Sequence, residues 1–212
     1  MKKNSKVCIF PLLLSFLLMV SNSCKKDIIP IETSTVTDID GNIYKTLKIG
    51  NQWWMGENLK TTKFNNGTNI PNPIEDNIWN NLHSSGYCWY QNNNTYKDQG
   101  ALYNWYALSD IRNIAPIGWH VPTYAEWTTF KNYLSSEHIS SGEIENAGFS
   151  FMSVGIRSGR FTTTDIGTQW WSTTEKTDGF ISIQSFTFNN SSYSTNDYVY
   201  KSDGYSVRCV KD

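Results

Sequence analysis

The chain has 212 residues, enough for one domain with a substantial core and too few for two. Its 18 Lys and Arg are matched by 19 Asp and Glu, a balance that excludes a basic footprint for nucleic acid. Aromatic residues reach 15% against 17% charged, which excludes a disordered chain and leaves Trp and Tyr to spare for the surface.

Lys2, Lys3 and Lys6 precede an apolar run over residues 9–20. This is the layout of a signal peptide, with an apolar region too short and too interrupted by Pro11 to span a membrane. Ser21, Asn22, Ser23 and Cys24 follow, and the junction resembles a bacterial lipoprotein signal in which Cys24 is acylated, although Ser21 stands where an aliphatic residue is usual. Ordinary cleavage near Ser23 is the alternative. Acyl chains at Cys24 would make the membrane a partner and place the protein in the bacterial cell envelope, at the outer membrane. Loss of residues 1–23 removes three Lys and no acid, so 18 basic and 19 acidic groups become 15 and 19, a net charge of −4. Residues 24–35 read as a short tether and 36–212 as the folded domain. Discarding Cys8 and Cys24 leaves Cys88 and Cys209, which form either one disulfide or two free buried thiols.

Asp40-Gly41 between β-prone runs predicts a hairpin, and Gly50-Asn51 turns the chain into a third strand over 52–55. Adjacent Trp53 and Trp54 face opposite sides of that strand. Between Thr61 and Gln99 periodicity fails and turn residues dominate, with Trp79, Tyr87, Trp89 and Tyr90 available to pin the segment down. Residues 100–108 read as a short helix with Leu102, Trp105 and Tyr106 on one face. Thr123 with Glu126 predicts a capping box, followed by a helix whose Trp127, Phe130 and Leu134 form an apolar stripe ending near Ser136. The remainder reads as strands: Phe149 with Phe151, Val154 to Ile156, a turn at Gly159, Trp170-Trp171, 181–183 and 186–188. A polar turn over 191–196 precedes a last strand over 204–210, in which Tyr205, Val207 and a buried Cys209 share one face.

These segments resemble the Fibrobacter-type major paralogous domain family of bacterial lipoproteins. The matching pieces are Asp40 to Tyr44, Trp54 to Leu59, Gly100 to Trp105, Gly118 to Trp127, Trp170 to Glu175 and Gly204 to Val210, in the family's order over about residues 36–212. The helix-start motif and the Arg208-Cys209 strand are also similar to the formylglycine-generating enzyme and C-type lectin-like superfamily. That resemblance implies an α+β fold of the C-type-lectin-like kind: two short helices flanking small antiparallel sheets, paired terminal strands and a long irregular loop region. The family's usual cysteines are replaced here by Ala115 and by the run Tyr96 to Gln99, which makes Cys88 and Cys209 a pairing of leftovers.

For chemistry the residues offer little. An oxidase of the formylglycine-generating kind looks to two close cysteines near the end of the domain, and only Cys209 is there. His83, His120 and His138 have no zinc spacing, so His120 reads as structural, and no metal set is expected. Asn189, Asn190, Asn196, Asp197 and Asp203 supply oxygens for calcium at a spacing that fits no calcium motif. Glu57, Asp76, Glu126 and Glu175 form no pair placed across a scissile bond, so no catalytic residue is assigned and no enzyme is expected. The expectation is a non-catalytic domain that binds glycans through Trp79, Trp89, Tyr90 and Tyr96, with a structural or protein-interaction role at the outer membrane as the rival.

Overall fold

The computed structural model describes residues 31–163, 167–176, 180–187 and 192–212. In chain order the strands and helices begin with β1 (Thr33–Thr37), β2 (Ile43–Ile49), β3 (Gln52–Met55), α1 (Asp76–Asn80), β4 (Tyr87–Cys88), β5 (Leu102–Tyr103) and α2 (Trp105–Leu108). They continue with β6 (Trp119–His120), α3 (Tyr124–Ser136), α4 (Ser141–Ala147), β7 (Ile156–Ser158) and β8 (Arg160–Thr162). Last come β9 (Gly167–Glu175), β10 (Ile181–Thr187), β11 (Ser192–Val199) and β12 (Val210–Lys211). The result is a mixed α and β domain of small antiparallel sheets.

The first sheet has the order β1-β2-β3-β12-β6. Its opening hairpin is wider than a two-residue turn, because Thr37 pairs with Ile43 and leaves five residues between them. The Asp38 carboxylate closes that loop, accepting from the backbone N–H groups of Asp40 and Asn42 at 3.0 and 2.9 Å and from the Tyr44 hydroxyl at 2.6 Å. Gly41 supplies the positive φ of 83°. Pairing starts at Thr33, so the end of the expected tether is strand; its β-branched residues take the edge of β2. The first and last strands share this sheet without touching, since β12 pairs with β3 and β6. This corrects the expected pairing of terminal strands.

The second sheet runs β11-β10-β9, with β4-β5 and β7-β8 as two-stranded pieces. Its strand β11 includes Ser192 to Asn196, expected as a turn; these polar residues sit on an edge strand whose outer face meets solvent. The expected helix over 100–108 is split. Leu102 and Tyr103 pair with Cys88 and Tyr87, and Asn104 then caps α2 by accepting from the Ala107 N–H at 3.1 Å. Residues 204–209 are extended but join no ladder, because their partners lie in different places. Gly204 bridges Arg157, Tyr205 bridges Tyr103, Ser206 bridges Trp170, and the Val207 and Cys209 carbonyls accept from Leu59 and Met55.

Helix α3 has the capping box read from Thr123 and Glu126, and buries Trp127, Phe130 and Leu134. Helix α4 was not anticipated, although Ser140 and Glu143 form the same box. The described residues thus contain four α-helices rather than two. The core falls into two large clusters, and the paired tryptophans divide between them. Trp171 lies in the first, with Trp53 packed against it, while Trp54 and Trp170 lie in the second with Trp127. Trp127 and Trp170 stack at 5.4 Å, and Phe149 and Phe151 reach this cluster although no strand forms there. Asn58 joins the pieces: its Oδ1 accepts from Trp170 Nε1 at 2.9 Å and from Arg208 Nε at 2.8 Å.

Candidate functional site

Three of the four aromatics expected to meet a ligand are packed inward: Trp79, Trp89 and Tyr90 are 1%, 6% and 7% exposed. Their rings hold the irregular segment to the core. Trp79 lies under the Arg157 guanidinium at 4.5 Å, and Tyr90 meets Tyr96 and Phe161 edge-on at 5.2 and 5.7 Å. Gly155 has no side chain because a Cβ there would come within 2.4 Å of the Tyr90 ring. Tyr90 and the half-buried Tyr96 border a hollow of about 240 Å³ with Gln99, Ser153 and Thr163, and Tyr96 is the one member of the four with substantial exposed surface.

Cys88 and Cys209 are both free and buried, not bonded. They stand in separate clusters, Cys209 beside Val207 and Cys88 beside Trp79. Burial pushes the Cys88 thiol up to about 12 against the opposing pull of Arg157, so it is a poor nucleophile. Burial likewise raises Cys209.

The described oxygens among those considered for calcium have other partners. Asp197 accepts from Ser182 Oγ at 2.6 Å and lies 3.3 Å from Lys176 Nζ, and Asp203 accepts from the Tyr200 N–H at 3.0 Å. Asn196 lies in β11, while Asn189 and Asn190, like Cys24, fall outside the described residues. Among the described residues no three His, Cys, Asp or Glu side chains are placed to hold a metal ion. The four carboxylates weighed as acids or bases are also engaged. Glu57 accepts from the Lys45 N–H at 2.7 Å, Asp76 pairs with Arg157 at 2.8 Å, and Glu175 pairs with Lys201.

Glu126 does more than cap. One carboxylate oxygen accepts from the Thr123 N–H and hydroxyl, each at 2.8 Å, and the other meets His120 Nε2 at 2.7 Å. The opposite ring nitrogen, Nδ1, lies 2.6 Å from Asp212. His120 therefore clamps α3 to the residue after β12. Burial lowers its basicity, but the hydrogen bonds and charges of the two carboxylates outweigh this and leave its pKa raised. Burial raises that of Glu126, and its bonds to Thr123 and His120 lower it by more.

The arrangement best suited to a ligand was not anticipated. A cleft of about 340 Å³ opens between the chain around Asn69 and Pro71, the turn at His83 to Ser85, and the segment from α2 to Arg112. Asp110 and Arg112 form a planar pair, with Arg112 Nε and Nη2 donating at 2.8 and 2.6 Å to the two carboxylate oxygens. Ser85 Oγ donates to Asp110 at 2.9 Å, and the Arg112 guanidinium lies 3.9 Å over the Phe64 ring. Arg112 holds the Asp110 carboxyl well below the usual carboxylate range, so it accepts as an anion at any ordinary pH. His83 Nδ1 stands 3.3 Å from the Tyr106 hydroxyl, and both side chains line the cleft. The sequence signal for this site was the Asp110-Ile111-Arg112 spacing. It forms a turn in which Asp110 Oδ1 also accepts from the Arg112 N–H at 3.0 Å.

Among the described residues no helix is long and apolar enough to cross a membrane. No curated protein and no solved structure matches the chain. The family model of the Fibrobacter succinogenes major domain, Fib_succ_major, matches residues 47–211, from β2 to β12, and the chain belongs to that family.

Proposed function

We propose that this protein is a lipid-anchored lipoprotein of the bacterial outer membrane whose domain, C-type-lectin-like in kind, binds a carbohydrate without transforming it. The observation that carries the ligand is the cleft at His83, Tyr106, Asp110 and Arg112. The Asp110 carboxylate holds the Arg112 guanidinium rigid, its remaining Nη1 and Nη2 hydrogens can donate to a sugar hydroxyl, and the phenol and imidazole supply further polar contacts. The pair is fixed before binding, which limits the ordering cost. Isothermal titration against cell-wall and host glycans tests the reading. Heat is expected from at least one, and its loss in Asp110→Ala with Arg112→Ala; silence across the panel removes the reading. The anchor rests on Cys24, and incorporation of labelled palmitate that persists in Cys24→Ser would refute it.

A second reading, a module that docks other envelope proteins, is favoured by two exposed isoleucines, Ile111 between the cleft residues Asp110 and Arg112, and Ile117. In-cell crosslinking from position 117 to an outer-membrane protein would support it.

A further inference from the structure

Tyr198 and Tyr200 are 73% and 63% exposed, an unusual surface for large rings two residues apart, and Val199 between them is buried. Residues spaced by two share a strand face, so both rings stand on the outer side at the end of β11. The Phe180 ring joins them, its centroid 5.9 Å from that of Tyr198 and 5.7 Å from that of Tyr200. The next residue, Lys201, places its ammonium 4.5 Å over the Trp105 ring, and its carbonyl accepts from the Trp105 N–H at 3.0 Å. Trp105 lies 6.3 Å from Tyr106, and Tyr106 lies 6.2 Å from His83. Ring contacts thus run from Trp105 to the wall of the cleft, and Lys201 joins Trp105 to the chain that carries the exposed tyrosines.

We propose that this connected row of rings extends the cleft, so that the whole site takes a neutral, linear oligosaccharide of several sugars. The proposal rests on the reading of the cleft as a carbohydrate site and goes beyond it in naming the length and charge of the ligand. Charge supports a neutral chain. Asp110 is paired with Arg112, Glu175 with Lys201 and Asp197 with Lys176, which cancels the fields that would attract a uronate or a phosphate. Ring chemistry supports a sugar. A tyrosine presents a flat apolar face to the C–H face of a pyranose, its hydroxyl remains free for a sugar oxygen, and its two torsions limit the entropy lost. The cleft fixes one end of the chain and the row of rings adds contacts for each further unit.

The test is isothermal titration of the full chain in detergent with di- and hexasaccharides of cellulose, xylan, mannan, amylose, chitin and polygalacturonate. At least one neutral hexasaccharide is expected to bind about tenfold tighter than its disaccharide, equivalent to roughly 1.4 kcal/mol. The double variant Tyr198→Ala, Tyr200→Ala should abolish that gain while keeping the disaccharide affinity and the thermal midpoint. A hexasaccharide no tighter than its disaccharide, or a gain that survives the double variant, overturns the extension and leaves the cleft reading standing. Preference for polygalacturonate fragments overturns the neutral ligand. Silence from every sugar overturns both readings.

Discussion

Arg208 stands between the rings of Phe149 and Trp170, at 4.6 and 5.2 Å, and has no ion pair among the described residues. Its donors go to Asn58 Oδ1 and to the carbonyls of Met55 and Ser150. Burial lowers its pKa to about 9, with Glu57 opposing. Arg208→Ala would leave those acceptors without their donor inside a closed core, and a loss of about 3–5 kcal/mol is expected from urea unfolding. His120 makes a different prediction, in pH. Its folded pKa is raised above 6.5, so its contribution is whole below that value and is lost as pH rises through the folded pKa. The Glu126 pKa is lowered from 4.5, so its contribution is whole above that value and fades as pH falls through the folded pKa. The stability advantage of the wild type over His120→Gln should therefore peak between about pH 4.5 and 6.5 and shrink toward alkaline pH, as thermal midpoints across a buffer series will show. The ring is 37% exposed, and solvent screening holds the effect to roughly 1 kcal/mol or less. The structural role of His120 was legible from its place before Pro122. Its partner Asp212, 92 residues away, was not, because no local pattern encodes a contact of that span.

Helix starts are where sequence speaks most directly, since a cap is a local bond. Thr123→Ala is expected to cost about 1 kcal/mol in thermal or urea unfolding. Ser140→Ala should cost less, because α4 has only seven residues and buries only Ile144. A loss from Ser140→Ala equal to that from Thr123→Ala would show that the shorter helix is as tightly docked as the longer. The Ser140–Glu143 box was in the sequence too, but Gly142 and the single apolar anchor of α4 gave no stripe to accompany it. The segment over 100–108 failed for the opposite reason. Its apolar spacing suits a helix, yet Tyr103 is held extended by Tyr87 on one side and Tyr205 on the other, and tertiary pairing overrides propensity.

Two core clusters would ordinarily invite two unfolding steps. Here Trp170 and Trp171 lie on adjacent positions of β9 and commit one to each cluster, as Trp53 and Trp54 do on β3. Trp171 Nε1 donates to the Tyr103 carbonyl at 2.6 Å, while the Trp171 carbonyl accepts from Trp127 at 3.1 Å. Tryptophan fluorescence and far-ultraviolet circular dichroism should therefore report one coincident transition, and Trp171→Ala should shift both together by about 3–5 kcal/mol. Two separated transitions would show the clusters to be independent. The doubled tryptophans were visible in the sequence, and so was their facing to opposite sides of a strand. The cleft was not, because its walls come from three stretches of chain that meet only after folding.

The placement of β12 between β3 and β6 has a consequence for how the protein is made. The Arg208 side chain reaches back 150 residues to Asn58, and Val210 pairs with Trp54. Until those late residues leave the ribosome, β3 keeps an unsatisfied flank and the middle of its sheet is vacant. The sheet therefore closes last, through contacts of very long sequence separation, which slows folding and makes the finished domain depend on its final few residues.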